Sequence, residues 1–178
     1  MDSRWIPNRE AIMDASYSDV IVRLVERLKM EGEKSLAFFG NIPVPLWDMT
    51  IYTEGTHWSI RQILAHFIAS ESAFRALISN IRKGGKGAPE DFDIDEFNEK
   101  EVIPFNNVYP ETLLERFEQS RLASIELVSE ITTEELQLNG RHPFLGKTSL
   151  EETIKLLYRH NQIHQRDIRR ILAETKTI

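Results

Sequence analysis

The apolar residues of this chain recur with a period near 3.6 almost throughout, and no segment alternates convincingly in the manner of a strand. This period predicts helices that bury one face and expose the other. Four long helices without strands indicate an all-α protein, a four-helix bundle. The long helices are predicted at about Ser16 to Met30, Ser59 to Lys83, Pro110 to Ile131 and Ser149 to Glu174, with a shorter piece from Glu33 to Phe39.

Two of these helices begin with the pattern of a capping box, in which a hydroxyl residue and a Gln or Glu three positions later satisfy each other's backbone N–H groups. Ser59 with Gln62 and Ser149 with Glu152 match this pattern. Pro110 suits the first position of the third long helix, where the missing N–H has no partner to lose.

The connections between the predicted helices are long. Pro43 and Pro45 forbid helix in the first connection, residues 42–56. The second connection, residues 84–109, is too long for a tight hairpin and predicts a crossover between the second and third long helices. Since 178 residues without repeats fall within the size of one domain, we expect a single domain over residues 1–178.

The charge balance restricts the class of partner. A formal net charge of −6 argues against nonspecific nucleic-acid binding, which depends on Lys and Arg at the phosphates. Four arginines nevertheless crowd the last helix. We interpret them as a solvated helix end that complements the helix dipole, with a DNA-binding patch as the alternative: Arg159, Arg166, Arg169 and Arg170.

The compartment is predicted from what the chain lacks. No apolar run approaches the ~20 residues that span a bilayer, and the first residues have no apolar core of a signal peptide. Cysteine is absent, so the chain offers no thiolate ligand and no cysteine nucleophile. We therefore expect a cytoplasmic protein without a membrane partner.

Two histidines, His160 and His164, lie four residues apart in the last helix. Residues with this spacing differ in direction by about 40° and have Cβ atoms about 5–6 Å apart, so both rings can reach one ion. The residues that flank them around the helix axis are apolar, which predicts that the pair faces the bundle interior: Leu156, Leu157, Ile163 and Ile171.

A third histidine, His66, lies inside the second long helix. His57 and His142 fall in a predicted loop and turn, and we expect both to be exposed. The face of His66 includes Ile63, Ala69, Ser70, Ala73 and Leu77, and the small residues just after the histidine predict room for a cavity beside the ring.

Three inward imidazoles on two helices predict one divalent metal site. Neutral imidazoles favour zinc, nickel, copper or iron over magnesium or calcium, and zinc or nickel is our prediction. Three protein ligands with a vacant position are typical of a catalytic site. The alternative for each ring is a core histidine whose hydrogen bonds are satisfied. Asp167 lies on the same stripe and either orients a ligating ring or forms a salt bridge with a neighbouring arginine.

The motifs around these histidines resemble the DinB/YfiT-like superfamily of metal-binding four-helix bundles. HWSIRQILAHF places tryptophan and serine seven to eight residues before the histidine, and H-N-Q-I-H occurs in the last helix. DFDIDEFNEKEV and YPETLLERFEQSR resemble the family's long second connection and third helix. The resemblance covers essentially the whole chain in order.

The resemblance implies that His66, His160 and His164 are the metal ligands. It also implies a homodimer and a small-molecule substrate. Family members include S-transferases that use bacterial low-molecular-weight thiols, a maleylpyruvate isomerase and stress-linked proteins of unproven activity. Asp167 departs from the glutamine expected in many members, so the substrate class does not follow from the resemblance.

Three further patterns fail their tests. H-N-Q-I-H lacks the glutamate of the H-E-x-x-H zinc-protease motif. An acidic run from Asp91 to Asp95 resembles the start of a calcium loop, but Glu96 and Val102 replace the required Gly and Glu, so we expect a polar connection. KGGKG, residues 83–87, lacks the phosphate-loop spacing and predicts a helix stop with a mobile turn.

Two function classes remain open. In the first, the vacant metal position binds a thiol or water that attacks an electrophile, which describes a metal-dependent S-transferase or hydrolase. In the second, the chain is a non-enzymatic, stress-related metal-binding or interaction protein with a structural metal. A vacant position beside a cavity favours the first class, and a fourth protein ligand or a closed interior favours the second.

Overall fold

The predicted four-helix bundle is confirmed in a computed structural model that describes residues 19–53 and 57–175. A short additional helix lies within the predicted crossover. The predicted helix start at Ser16 lies outside the described residues. The helices are α1 (Asp19–Gly40), α2 (Ile60–Arg82), α3 (Ile94–Val102), α4 (Pro110–Ser129) and α5 (Leu150–Thr175).

The four long helices form two parallel pairs. Both α1 and α2 pack against α4 and α5. One apolar cluster unites the beginnings of α1 and α5 with the ends of α2 and α4, and a second cluster unites the opposite ends. Therefore α1 is parallel to α5, α2 is parallel to α4, and the connection between α2 and α4 must run the length of the bundle. Leu24, Ile78, Val128 and Ile154 are members of the first cluster.

The first helix is longer than predicted. The expected break between Met30 and Glu33 is wrong, because α1 continues without interruption to Gly40. Gly32 at the expected break lowers helix propensity by only about 1 kcal/mol, and tertiary packing overrides this cost. Glu31, the residue before Gly32, is buried and forms ion pairs with Arg27 at 3.2 Å and with Lys34 at 2.9 Å.

A two-stranded hairpin connects α4 to α5, so the expectation of no strands is wrong here. Strand β1 (Asn139–His142) pairs antiparallel with β2 (Gly146–Ser149). Strands of four residues are too short for a period of two to be recognised. The turn after α2, predicted to be mobile, is bonded to strand β1. The Arg141 backbone N–H donates to the Lys86 carbonyl, and the Arg141 carbonyl accepts the Ala88 N–H, both at 2.8 Å.

The cap predictions are largely confirmed. Ser59 forms both halves of a capping box with Gln62. Ser149 accepts from the Glu152 N–H at 3.3 Å, while the Glu152 carboxylate bonds to Lys155 and Arg159. In the acidic run, the Asp93 side chain accepts the N–H groups of residues 95 and 96 and so caps α3.

The first connection is irregular, as predicted, and it is held against the start of α2. Trp47 is 1% exposed, and its carbonyl accepts the Arg61 N–H at 2.9 Å. The Met49 carbonyl accepts the Ile60 N–H at 3.2 Å. These bonds fix residues 47–53 beside the site described below.

The four arginines of α5 are exposed, as expected, but the expectation that they complement the helix dipole is wrong, because the last turn of α5 contains no basic residue. Arg159 instead pairs with Glu152 at 2.8 Å, and Arg169 lies over the Phe38 ring at 4.5 Å. In the described residues, no helix is long and apolar enough to cross a membrane.

Polar side chains occupy the middle of the bundle, between the two apolar clusters. We call this set the polar layer. Its members are buried although they are charged or hydrogen-bonding: Glu31, Ser35, His66, Glu71, Arg121, Ser124, Asn161 and Gln165.

Candidate metal centre

The three histidines predicted as ligands meet at one point between α2 and α5. His66 Nε2 lies 2.9 Å from His160 Nε2, and His164 Nε2 lies 3.0 Å from the same atom. All three ligand atoms lie within 4.8 Å of one another. The structure therefore brings the three predicted rings together, and their role as metal ligands stays a prediction.

The cluster lies at the edge of the bundle interior. His66 is buried at 5% exposure, whereas His160 and His164 are partly exposed. Ile163, predicted to face inward, is 49% exposed. The inward stripe of α5 is thus narrower on this side than its apolar residues suggest.

Aromatic rings enclose the inner side of the cluster. The Trp58 ring lies 4.7 Å from the His66 ring, and the Phe67 ring lies 5.8 Å and 5.7 Å from the rings of His160 and His164. Ser70 Oγ lies 3.5 Å from His66 Nε2, within the room expected beside that ring. Two shallow clefts of the described residues lie between α2 and α4 and beside the hairpin, and neither contains a histidine of the cluster.

Burial keeps all three imidazoles neutral. It lowers the pKa of His66 to about 3, with a further contribution from the charge of His164. It lowers the pKa of His164 to about 4, against the opposing effect of Asp167. Burial, followed by the charges of the other two rings, also holds the pKa of His160 well below its usual value. Neutral rings are the form that binds metal.

The donor set fits a divalent cation. A neutral imidazole nitrogen either donates one hydrogen or accepts one, yet His160 Nε2 has two nitrogen neighbours at hydrogen-bond distance. One hydrogen does not serve both contacts, whereas a cation among the nitrogens satisfies all three lone pairs. Two of the three nitrogen pairs are 2.9 Å and 3.0 Å apart, so His66, His160 and His164 would be the residues that hold a small divalent cation. The described residues add no fourth His, Cys, Asp or Glu to the group.

Asp167 reaches the cluster through a residue that the sequence analysis missed. Tyr52 Oη donates to Asp167 Oδ2 at 2.9 Å and lies 2.7 Å from His164 Nδ1. The alternative salt bridge with Arg166 is long, at 4.0 Å. Burial first, and then the bond to Asp167, raise the pKa of Tyr52 and keep it a phenol. Tyr52 lies in an irregular connection, where no periodicity indicates the direction of a side chain.

The other two histidines differ from each other. His57 is exposed, as expected. The expectation for His142 is wrong, since it is 6% exposed and lies with its ring centre 5.3 Å from that of Phe74. Its Nδ1 accepts the N–H groups of Phe144 and Leu145, and burial lowers its pKa to about 4. A turn-like sequence gave no sign that the hairpin folds back onto α2.

The fold and the cluster together describe a helical bundle in which two helices bring three histidines to one point. The chain belongs to the DinB superfamily, whose model matches residues 5–168. The resemblance seen in the sequence is thereby confirmed. A comparison with curated proteins gives no match.

Solved structures show the same fold at low sequence identity. An uncharacterized protein from Clostridium difficile 630 has a TM-score of 0.68 at 14% identity, over 88% of this chain and 97% of that chain. A mycothiol-dependent maleylpyruvate isomerase has a TM-score of 0.66 at 15% identity, over 83% of this chain and 60% of the isomerase. The colibactin self-resistance protein ClbS, in complex with double-stranded DNA, has a TM-score of 0.61 at 16% identity, over 88% and 94%.

Proposed function

We propose that this protein is a metal-dependent enzyme of the S-transferase or hydrolase type, with His66, His160 and His164 as ligands of one zinc or nickel ion. The observation that carries the proposal is the convergence of three neutral Nε2 atoms within 4.8 Å. Three protein ligands leave a coordination position for a reactant. His160 and His164 are only partly buried, which supports access of a reactant to this position.

Each residue of the site has a separate task in this proposal. When bound, the ion lowers the pKa of a coordinated thiol or water and supplies a nucleophile near neutral pH. The three histidines hold the ion and stay neutral because they are buried. Trp58 and Phe67 exclude water from the inner side of the cluster. Asp167 places a carboxylate within reach of His164 through Tyr52.

A low-molecular-weight thiol is the cosubstrate we favour. The isomerase of similar fold is mycothiol-dependent by its description. This chain has no cysteine, so a thiol nucleophile has to come from outside the protein. The substrate in this proposal is a small electrophilic molecule.

The second candidate function is a non-enzymatic, stress-related metal-binding or interaction protein. The aromatic rings packed against the histidines favour it, because they fill space beside the cluster. The absence of a nucleic-acid partner also stays a prediction, because ClbS has a similar fold and was crystallised with DNA. A homodimer is likewise a prediction, and light scattering at micromolar concentration would contradict it by giving a monomer mass.

Metal stoichiometry tests the ligand assignment. Metal-free protein titrated with zinc or nickel and then desalted is expected to retain one ion per chain by elemental analysis. The His160→Ala/His164→Ala variant is expected to retain none, and His57→Ala, a matched change of an exposed histidine, one. An undiminished stoichiometry in the double variant would contradict the assignment.

A thiol screen separates the two candidate functions. The metal-loaded protein is incubated with mycothiol, other bacterial thiols or water, together with maleylpyruvate or a chloronitrobenzene as electrophile. Turnover that depends on one thiol and is abolished in His160→Ala supports the enzyme. Equal rates in wild type and His160→Ala would refute the metal mechanism.

A further inference from the structure

Tyr52 lies between a charged carboxylate and one ring of the histidine cluster. Its hydroxyl oxygen is 2.9 Å from Asp167 Oδ2 and 2.7 Å from His164 Nδ1. The Tyr52 and His164 rings also meet edge to face, with centres 5.6 Å apart. One hydroxyl group therefore connects two polar groups that do not touch each other.

The chemistry of the three groups fixes the direction of both hydrogen bonds. An ionised carboxylate only accepts, so the single Tyr52 hydrogen points to Asp167. The Tyr52 oxygen is then the acceptor, and His164 Nδ1 is the donor. A neutral imidazole carries one hydrogen, so His164 Nε2 is left without one.

That tautomer is the one a metal ligand requires. His164 Nε2 faces His160 Nε2 at 3.0 Å, on the opposite side of the ring from Tyr52. Because Tyr52 lies at Nδ1 of His164, it is not a ligand of an ion that is bound at Nε2 of the same ring. His160 differs, because its Nδ1 is buried without a hydrogen bond of normal geometry in the described chain, although the Asn161 side chain lies near enough to affect its pKa.

The backbone around Tyr52 holds the phenol in place. The N–H groups of Ile51 and Tyr52 both donate to the Trp58 carbonyl, at 2.8 Å and 3.3 Å. Trp58 itself packs against His66. The loop that carries Tyr52 is thereby joined to the wall of the same cluster.

We propose that Tyr52 is a positioning residue, which transmits the charge of Asp167 to His164 and fixes His164 as the tautomer with a bare Nε2. The proposal rests on the metal site proposed above. Partners that orient a ligating histidine typically affect metal affinity by about 10–100-fold. Asp167 is hydrogen-bonded to Tyr52 and its charge also acts on His164, so the two residues form one coupled unit.

Zinc affinity by chelator competition and the His164 tautomer by long-range proton–nitrogen correlation spectra test this proposal. Tyr52→Phe keeps the ring and removes the hydroxyl, and is expected to weaken zinc binding by about 10–100-fold. Asp167→Asn leaves a neutral acceptor and is expected to weaken it less. The double variant is expected to match Tyr52→Phe, because coupled residues are not additive. Tyr109→Phe, at a tyrosine that is 77% exposed, is the control and should bind as wild type.

The spectra of the metal-free protein provide a measurement that does not depend on zinc. Wild type is expected to carry the His164 hydrogen on Nδ1, and Tyr52→Phe to lose this preference. Unchanged affinity together with an unchanged tautomer in Tyr52→Phe would overturn the role of Tyr52 and leave the metal site standing. If wild type binds no metal, the proposed function fails, while the tautomer still decides what Tyr52 does. Circular dichroism of each variant establishes that it is folded. If Tyr52→Phe does not fold, Asp167→Asn, a change at a partly exposed side chain, replaces it in both measurements.

Discussion

Two neighbouring polar regions of the bundle, the histidine cluster and the contacts of Glu71, are built in opposite ways. The histidine cluster joins α2 to α5, and five residues after His66 on α2 the Glu71 carboxylate joins α2 to α4. Glu71 Oε1 lies 2.5 Å from Arg121 Nη2, and Glu71 Oε2 accepts from Ser124 Oγ at 2.5 Å. The histidine cluster brings together three neutral nitrogen atoms, whereas the Glu71 region brings a carboxylate and a guanidinium together.

Arg121 extends the second region to every long helix. From α4 its guanidinium contacts Glu71 on α2 and donates to the carbonyls of Leu28 on α1 and Leu157 on α5, at 3.3 Å and 3.2 Å. The residue is 0% exposed. Its charge is balanced by groups of the chain itself.

The comparison separates stability from ligand binding. The charges of Glu71 and Arg121 balance each other within the chain, although Arg121 Nε has no hydrogen-bond partner among the described residues, so loss of either partner would leave an uncompensated buried charge. The histidine cluster has a surplus of lone pairs and is satisfied best by a cation. One region therefore specifies the fold, and the other provides the site.

Acidification should produce the largest difference between the two regions. The pKa is about 3 for His66, about 4 for His164 and His142, and well below the usual value for His160. An unfolded histidine titrates near 6.5, so between about pH 6.5 and 4 the unfolded chain binds more protons and stability falls as pH falls. Burial raises the pKa of Glu71, which acts in the opposite direction, but it is one group against four.

We expect the metal-free protein to unfold before pH 4 and the zinc-loaded protein to unfold at a lower pH. Circular dichroism followed across this range, with and without saturating zinc, measures the shift. A metal-free stability that stays constant from pH 7 to 4.5 would show that the four rings are not held neutral.

Removal of one partner from the charged region should have the next largest effect. Arg121→Met leaves the Glu71 carboxylate buried and unpaired, which typically costs about 3–5 kcal/mol of unfolding free energy. Urea denaturation measures the loss. The Glu71→Gln/Arg121→Met double variant is expected to lose less than Arg121→Met alone, because it buries no unpaired charge.

The same variants also test whether the charged region affects metal binding. Folded Glu71→Gln/Arg121→Met protein should still retain one zinc ion per chain, since none of the three ligands is altered. Loss of zinc from a variant that remains folded would mean that the two regions are not independent.

His142→Ala should have a smaller effect, confined to stability. The backbone N–H groups of Phe144 and Leu145 lose their acceptor and the contact with Phe74 is removed, for an expected cost of about 1–3 kcal/mol. His57→Ala, at an exposed position, is expected to stay within about 0.5 kcal/mol of wild type. Thermal melts of both variants against wild type measure the change in stability. Elemental analysis should then find one zinc ion per chain in each variant. Loss of zinc in His142→Ala would place this residue in the metal site.

The sequence predicted the cluster because its members lie on regular helices. On a helix, spacing fixes direction, so His160 and His164 had to share a face, and His66 had to point the way its apolar neighbours do. The family resemblance named the same three residues. Spacing also placed Asp167 on the correct stripe, although not its partner.

The errors occur where no helix fixes direction or where packing overrides a local signal. The predicted break between Met30 and Glu33 does not occur, because the packing of α1 overrides the low helix propensity of Gly32. The turn-like sequence around His142 predicted exposure, but the hairpin folds onto α2 and buries the ring. Tyr52 had no pattern at all, because its position depends on bonds between residues 51–52 and the Trp58 carbonyl.

The sequence by itself determined which residues share a helix face, because a period of 3.6 is a local property of the backbone. It determined in this way that three histidines face one interior and that their neighbours are mostly apolar. Only the tertiary structure decided that α2 lies beside α5 so that the rings meet, that Arg121 reaches all four long helices, and that a loop brings Tyr52 between Asp167 and His164. These contacts join residues 36 to 115 positions apart, and such distances are fixed by packing and by the course of the connections.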